Sequence, residues 1–313
     1  MEAGAGGGES FFDEYQAISN KLKKRLLRKP NVPEAAEEFG RLASRLAQSE
    51  LPEYAGLTQL ARARCLETLG SRTAETDALI AAARQFMLAH QEQSDQHAAT
   101  SGAQLQAAIA LYNAAIRHQL SAQRGLLAAR TCLELAHALR RQGRTRQALL
   151  YFQDAADLQT PPAALESREL AVRCQLELVD LEAALSSLDD MHTALEELGG
   201  SSSAHSLTAR YLRWCEVTQV LLLLAAEPPA SQPKPAHTRL LDGLTKPDGR
   251  HRGGHLSECV HLLFQSLVLA VRRRHLSALY RLEGDLRPHL DESQRHLLDR
   301  LVRQVETRVP AQK

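Results

Sequence analysis

Apolar side chains recur every three or four residues along nearly the whole chain, and proline or glycine cuts the pattern every few helical turns. Such a chain is confined to short amphipathic helices joined by tight turns. Phe11, Tyr15, Ile18, Leu22 and Leu26 mark one face of a first helix over about 10–28. Pro30 and Pro33 end it and open a second, because proline lacks the helical donor yet suits a first turn. The second carries Ala36, Phe39, Leu42, Ala43 and Leu46; a third, opened by Pro52, carries Tyr54, Leu57, Leu60, Ala61 and Leu69. The pattern predicts further helices near 73–91, 103–119, 122–142, 145–158, 163–178 and 180–198. Composition excludes the alternative: 54 Leu and 47 Ala stand against 11 Val and 4 Ile, too few β-branched residues to fill a large sheet. Ala and Leu lose little entropy in a helix. The fold class is all-α.

Helix pairs of about 34 residues are the period of a tetratricopeptide array. The best copy runs from Thr131 to Pro161. Leu135 and Leu139 line its first helix, Gly143 makes the turn, and Ala148, Phe152 and Ala155 follow in the second. Small residues at Ala148 and Ala155 are needed where a branched side chain would hold the axes apart. The expectation is a tetratricopeptide-like superhelix of antiparallel helix pairs, about thirteen helices in all.

Two breaks interrupt the array. Gly199 to Ser203 separates the ninth helix from a tenth over about 206–226, whose Leu221 to Leu224 read as a helix buried all round. A longer break holds Pro228, Pro229, Pro233, Pro235 and Pro247 among several glycines, with Leu240, Leu241 and Leu244 able to form a brief helical turn. The expected organisation is a disordered tail over 1–9, a helical array over 10–226, a Pro/Gly-rich flexible loop over 227–254 and closing helices over 255–309 in the same domain. Those closing helices are expected to bury Leu262, Leu263, Leu267, Leu269, Leu279, Leu282, Leu297, Leu298, Leu301 and Val305.

Chemistry is sparse. The sequence has no phosphate-cradling GxxxxGK[ST], no GxSxG elbow and no HExxH. His251, His255, Cys259 and His261 offer ligand atoms at close spacing, but Gly253 and Gly254 interrupt a helix across them and no second cluster completes a set. No enzyme activity, cofactor or metal is expected. Cys65, Cys132, Cys174, Cys215 and Cys259 are scattered and odd in number. With no leader pattern and no apolar run beyond the seven residues Val220–Ala226, they read as reduced thiols of a cytosolic or nuclear protein without membrane insertion.

Charge is nearly balanced, 38 basic against 37 acidic, which excludes a general polyanion coat. The signs are separated, however. Lys21, Lys23, Lys24, Arg25, Arg28 and Lys29 crowd one short segment, while Glu177, Asp180, Glu182, Asp189, Asp190, Glu196 and Glu197 form an acidic stretch. No aromatic residues interleave the basic cluster for base stacking, so nucleic acid is not expected as a partner. The residues alone leave a solvated face and a docking surface both open.

The basic segment also carries a resemblance. Ser19-Asn20-Lys21-Leu22-Lys23-Lys24-Arg25, then Leu27-Arg28-Lys29-Pro30-Asn31-Val32, resembles the start of the huntingtin-associated family encoded within an intron of the factor VIII gene. Cys215-Glu216-Val217 with Val220, Gln265-Ser266-Leu267-Val268 and Gln294 with His296-Leu297-Leu298 keep the same order. The resemblance implies a helical superhelix that binds huntingtin's helical-repeat domains. It further implies an effector of the early-endosomal Rab GTPase, linking huntingtin to endosome motility. The expected setting is the cytoplasm, with early-endosome association and a nuclear pool. On that reading Lys21, Lys23, Lys24, Arg25, Arg28 and Lys29 make the electrostatic contacts. The rival is a soluble vesicle-fusion adaptor of similar helical-hairpin architecture.

Overall fold

The computed structural model describes residues 6–23, 30–97, 102–198, 207–225, 235–245 and 256–308. Its helices fall into two compact units, Met1–Gln159 and Thr160–Lys313. Among the described residues there is no strand.

The first unit holds α1 (Gly6–Lys21), α2 (Val32–Gln48), α3 (Pro52–Thr68), α4 (Arg72–Asp95), α5 (Ala103–Ser121), α6 (Gly125–Arg141) and α7 (Thr145–Leu158), each packed on the next in chain order. The expected faces form most of its core: Phe11, Ile18, Ala36, Phe39, Leu42, Ala43 and Leu46 are buried. In α3 the outcome differs, because this helix is covered on two sides, by α2 and α4. Ala55, Thr58, Ala61, Ala63 and Cys65 fill the narrow seams, and the larger Leu57 and Leu69 are left exposed. In the best repeat copy, Leu135, Leu139, Ala148, Phe152 and Ala155 are fully buried, and the His137 ring meets Phe152 edge-on at 5.1 Å.

The second unit holds α8 (Pro161–Glu177), α9 (Leu181–Glu197), α10 (Leu207–Ala225), α11 (Pro235–Thr245), α12 (Glu258–Arg272), α13 (Leu276–Leu286), a 3-10 turn at Arg287–His289 and α14 (Glu292–Arg308). Here the order closes on itself. α10 packs against α9, α11 and α14, and α14 returns to α8. α10 is accordingly covered on nearly every side, with Val220, Leu221 and Leu222 fully buried. In α12 the buried set is His261, Phe264, Leu267, Val268 and Ala270, so Leu262 and Leu269, expected inside, lie seven residues apart on the outer face.

Three expectations about boundaries are corrected. The tail expected to be disordered over 1–9 contains the start of α1, from Gly6. The first helix ends at Lys21 rather than near 28, and residues 24–29 lie outside the described residues. The segment expected to be a flexible loop over 227–254 contains α11, an eleven-residue helix that accounts for a fourteenth element. Its Leu244 is buried at 3% exposure, because a leucine triplet at helical spacing has α10 and α12 to pack on. The proline count that argues for a loop falls mostly on the flanks.

Helix pairs turn back by one repeated device. Glu50, Gly70, Gln123, Gly143, Val179 and Arg274 all adopt the left-handed region, with φ between 52° and 71°. The next residue's N–H then bonds the carbonyl five positions back, as Leu51 does to Leu46 and Asp180 to Gln175, both at 3.0 Å. This is the Schellman closure, which satisfies carbonyls the helix leaves open.

Candidate partner-binding surfaces

Lys21, the last residue of α1, reaches across to α2. Its Nζ donates to Glu34 at 2.8 Å and to Glu38. The hydrogen bonds it donates to Glu34 and Glu38 raise its pKa. Arg45 and Glu14 make a second ion pair between the same helices. Lys21 therefore serves the α1–α2 contact, while Lys23 is exposed beyond the helix end. Lys24, Arg25, Arg28 and Lys29 lie outside the described residues.

The acidic stretch divides in the same way. Asp180 caps α9, accepting from the Ala183 N–H at 3.2 Å. Asp189 accepts from Gln219 Nε2 at 3.0 Å and faces His237 Nε2 at 2.9 Å. A carboxylate can only accept, so His237 donates there and pins α11 against α9. Glu196 pairs with His192 one turn back at 3.3 Å. Glu177, Glu182, Asp190 and Glu197 are exposed.

Two further polar centres are absent from the sequence reading. In the second unit, Asp291 caps α14 in a reciprocal pair: Gln294 N–H donates to its Oδ1 at 2.9 Å, and its own N–H donates to Gln294 Oε1 at 3.1 Å. Its other oxygen accepts from Trp214 Nε1 at 2.7 Å and from Arg173 at 2.8 Å. Gln294 Nε2 continues to the Thr218 hydroxyl at 3.0 Å. Helices α8, α10 and α14 thus meet at one node.

In the first unit, Arg84 of α4 forks onto Glu134 of α6, with Nε to Oε1 at 2.6 Å and Nη2 to Oε2 at 2.7 Å. The Tyr112 hydroxyl of α5 donates to Glu134 Oε1 at 2.7 Å. Arg84 holds the Glu134 carboxyl below its ordinary range, and burial pushes the Tyr112 hydroxyl well above its own. Beside this clamp runs a groove of about 560 Å³, with Met87, Leu88 and Gln91 on α4 and Ala138 and Arg141 on α6. A signal for it exists in the sequence: residues 124–146 hold six arginines against the single Glu134.

The thiols are largely out of reach. Cys65, Cys132, Cys174 and Cys215 are buried, and burial pushes Cys132 and Cys215 up to about 12. His251 and His255 lie outside the described residues, Cys259 is exposed and His261 is buried. Among the described residues no three His, Cys, Asp or Glu side chains stand together as a metal site. No described helix is long and apolar enough to cross a membrane.

These features define an all-α helical-repeat protein whose polar centres, as described, tie helix to helix. The chain is 33% identical over 345 aligned positions to the 40-kDa huntingtin-associated protein of Mus musculus, covering 92% of this chain and 91% of that one. The protein of the same name from Rattus norvegicus matches to the same extent. The chain belongs to the family of the 40-kDa huntingtin-associated protein. No family model matches it.

Proposed function

We propose that this chain is a non-enzymatic scaffold that binds huntingtin through its helical surfaces and links it to early endosomes as an effector of an early-endosomal Rab GTPase in endosome motility. The observation that carries the reading is identity of 33% along nearly the whole of two proteins named for their association with huntingtin. The proposed setting is the cytoplasm and the early endosome, with a nuclear pool. Lys23, Lys24, Arg25, Arg28 and Lys29 carry the electrostatic contact, and Lys21 supports it by fixing α1 on α2.

Co-purification of the full chain with full-length huntingtin at defined stoichiometry tests the first part. Reversing Lys23, Lys24, Arg28 and Lys29 to Glu should leave circular dichroism helical, because the buried Phe11, Ile18, Phe39 and Leu42 that pack α1 on α2 are untouched. Capture should weaken by tenfold or more, about 1.4 kcal/mol, as attraction becomes repulsion. A quadruple variant that captures huntingtin like wild type would reduce this face to a solvated one. Capture of the early-endosomal Rab only in its GTP-loaded form tests the second part. Equal capture of the GDP form would remove the effector role.

A further inference from the structure

The groove between α4 and α6 has a chemistry of its own. On α6, Arg130, Glu134, His137 and Arg141 follow at steps of four, three and four, so they share one face of the helix. Arg130, His137 and Arg141 are exposed. The one acid in this row is already occupied, since Glu134 takes both arms of Arg84 and the Tyr112 hydroxyl. That clamp leaves little net charge and fixes α4, α5 and α6 relative to one another. What faces outward is therefore the positive field of Arg130 and Arg141, at either end of a stripe about 16 Å long.

The groove floor is apolar. Met87 and Ala138 are nearly covered at 8% exposure each, and Leu88 stands on the lip at 48%. Arginine forks bind carboxylates bidentately and are weakly hydrated, which suits a half-buried contact. Phosphate would satisfy the same forks. A nucleic acid, however, also needs an aromatic platform for its bases, and the Tyr112 ring is 2% exposed. The reach between Arg130 and Arg141 sets the length of the occupant. An extended chain covers the same stripe in about five residues.

We propose that this groove binds an extended acidic segment of a partner protein, with carboxylates at both ends of about five residues and an apolar side chain between them. The end carboxylates meet Arg130 and Arg141, and the central side chain lies against Leu88 and Met87. The proposal stands apart from the huntingtin reading, since it concerns a peptide chemistry and not a named partner.

The probe is a fluorescein-labelled peptide with a leucine flanked on each side by two glutamates, read by fluorescence anisotropy with the full chain. Wild type should bind it saturably, at least tenfold tighter than the same peptide with glutamines for glutamates, and more weakly as salt rises. Arg130→Glu with Arg141→Glu should lower affinity at least tenfold, and the gentler Arg141→Gln by a few fold. Leu88→Asp should weaken it too. Reversal of Arg41 and Arg117, exposed elsewhere in the first unit, should leave it unchanged. Absence of saturable binding overturns the proposal, as does equal loss in the Arg41 and Arg117 variant. A single-stranded oligoribonucleotide that binds tighter than the peptide, and is lost on reversal of Arg130 and Arg141, also overturns it and makes the groove a phosphate site.

Discussion

Ala148 and Lys21 show what a single residue does and does not disclose. Ala148 has no exposed surface, where α7 crosses α6. The requirement for a small side chain there follows from helix pairing within one hairpin, so the neighbouring sequence announces it. Ala148→Leu should overpack the seam and cost about 1–3 kcal/mol in urea unfolding. Arg146→Leu, exposed two residues earlier, should stay within about 0.5 kcal/mol. Lys21 is the opposite case. Its neighbours in sequence are basic, so it reads as part of a positive cluster, yet its charge is engaged by Glu34 and Glu38 across a chain reversal. A pairing of that kind depends on how α1 lies on α2, which no local pattern states.

Elements tell a similar story. Most helices of the first unit are legible because each face repeats within its own segment; α3, packed on two sides, is the exception. α11 is less so: its prolines suggest a loop, and what holds it is His237 meeting Asp189, 48 residues away in sequence. The Arg84–Glu134 clamp spans 50 residues and leaves no trace beyond an arginine-rich stretch. It does carry a signature in pH. Glu134 is held below its ordinary 4.5, chiefly by the hydrogen bond from Arg84. A carboxyl with a depressed folded value adds stability above its unfolded pKa and loses it as pH falls through the folded one. Glu134→Gln should therefore destabilise the protein at neutral pH, by about 1–2 kcal/mol for a half-exposed ionic hydrogen bond. The gap to wild type should narrow as pH falls below 4.5 and on through the depressed folded pKa, as Glu134 takes up a proton and both proteins carry a neutral side chain. Urea unfolding across that range checks it, and a gap independent of pH would assign the loss to packing.

For the molecule as a whole, the division at Gln159 and Thr160 is the feature that periodicity passes over. The repeat pattern runs on through α8 and α9, and an array over 10–226 is its natural reading. What separates α8 and α9 from the helices before them is their core. Leu165, Val172, Ala184, Leu188, Met191 and Leu195 join one cluster with α10, α12, α13 and α14. The Arg173–Asp291 pair spans 118 residues to close it. Each unit has its own core, the condition for independent folding. Fragments 1–159 and 160–313 should each give helical circular dichroism and a cooperative melt. A fragment that stays unfolded alone would mean that its core is completed by the other.

The left-handed corners have a practical corollary for engineering. An L-residue in that region costs about 1–2 kcal/mol over its usual backbone, and glycine is spared the cost. Four of the six corners use a side chain instead: Glu50, Gln123, Val179 and Arg274. Val179 is the least suited, being β-branched at φ 62° and 52% exposed, so little packing repays the strain. Val179→Gly should raise unfolding stability by about 1 kcal/mol, and a lower midpoint in urea would show that the valine contributes something its exposure hides. Such a background would add thermodynamic headroom without altering any charged face, so that reversals aimed at binding could be read free of losses in folding.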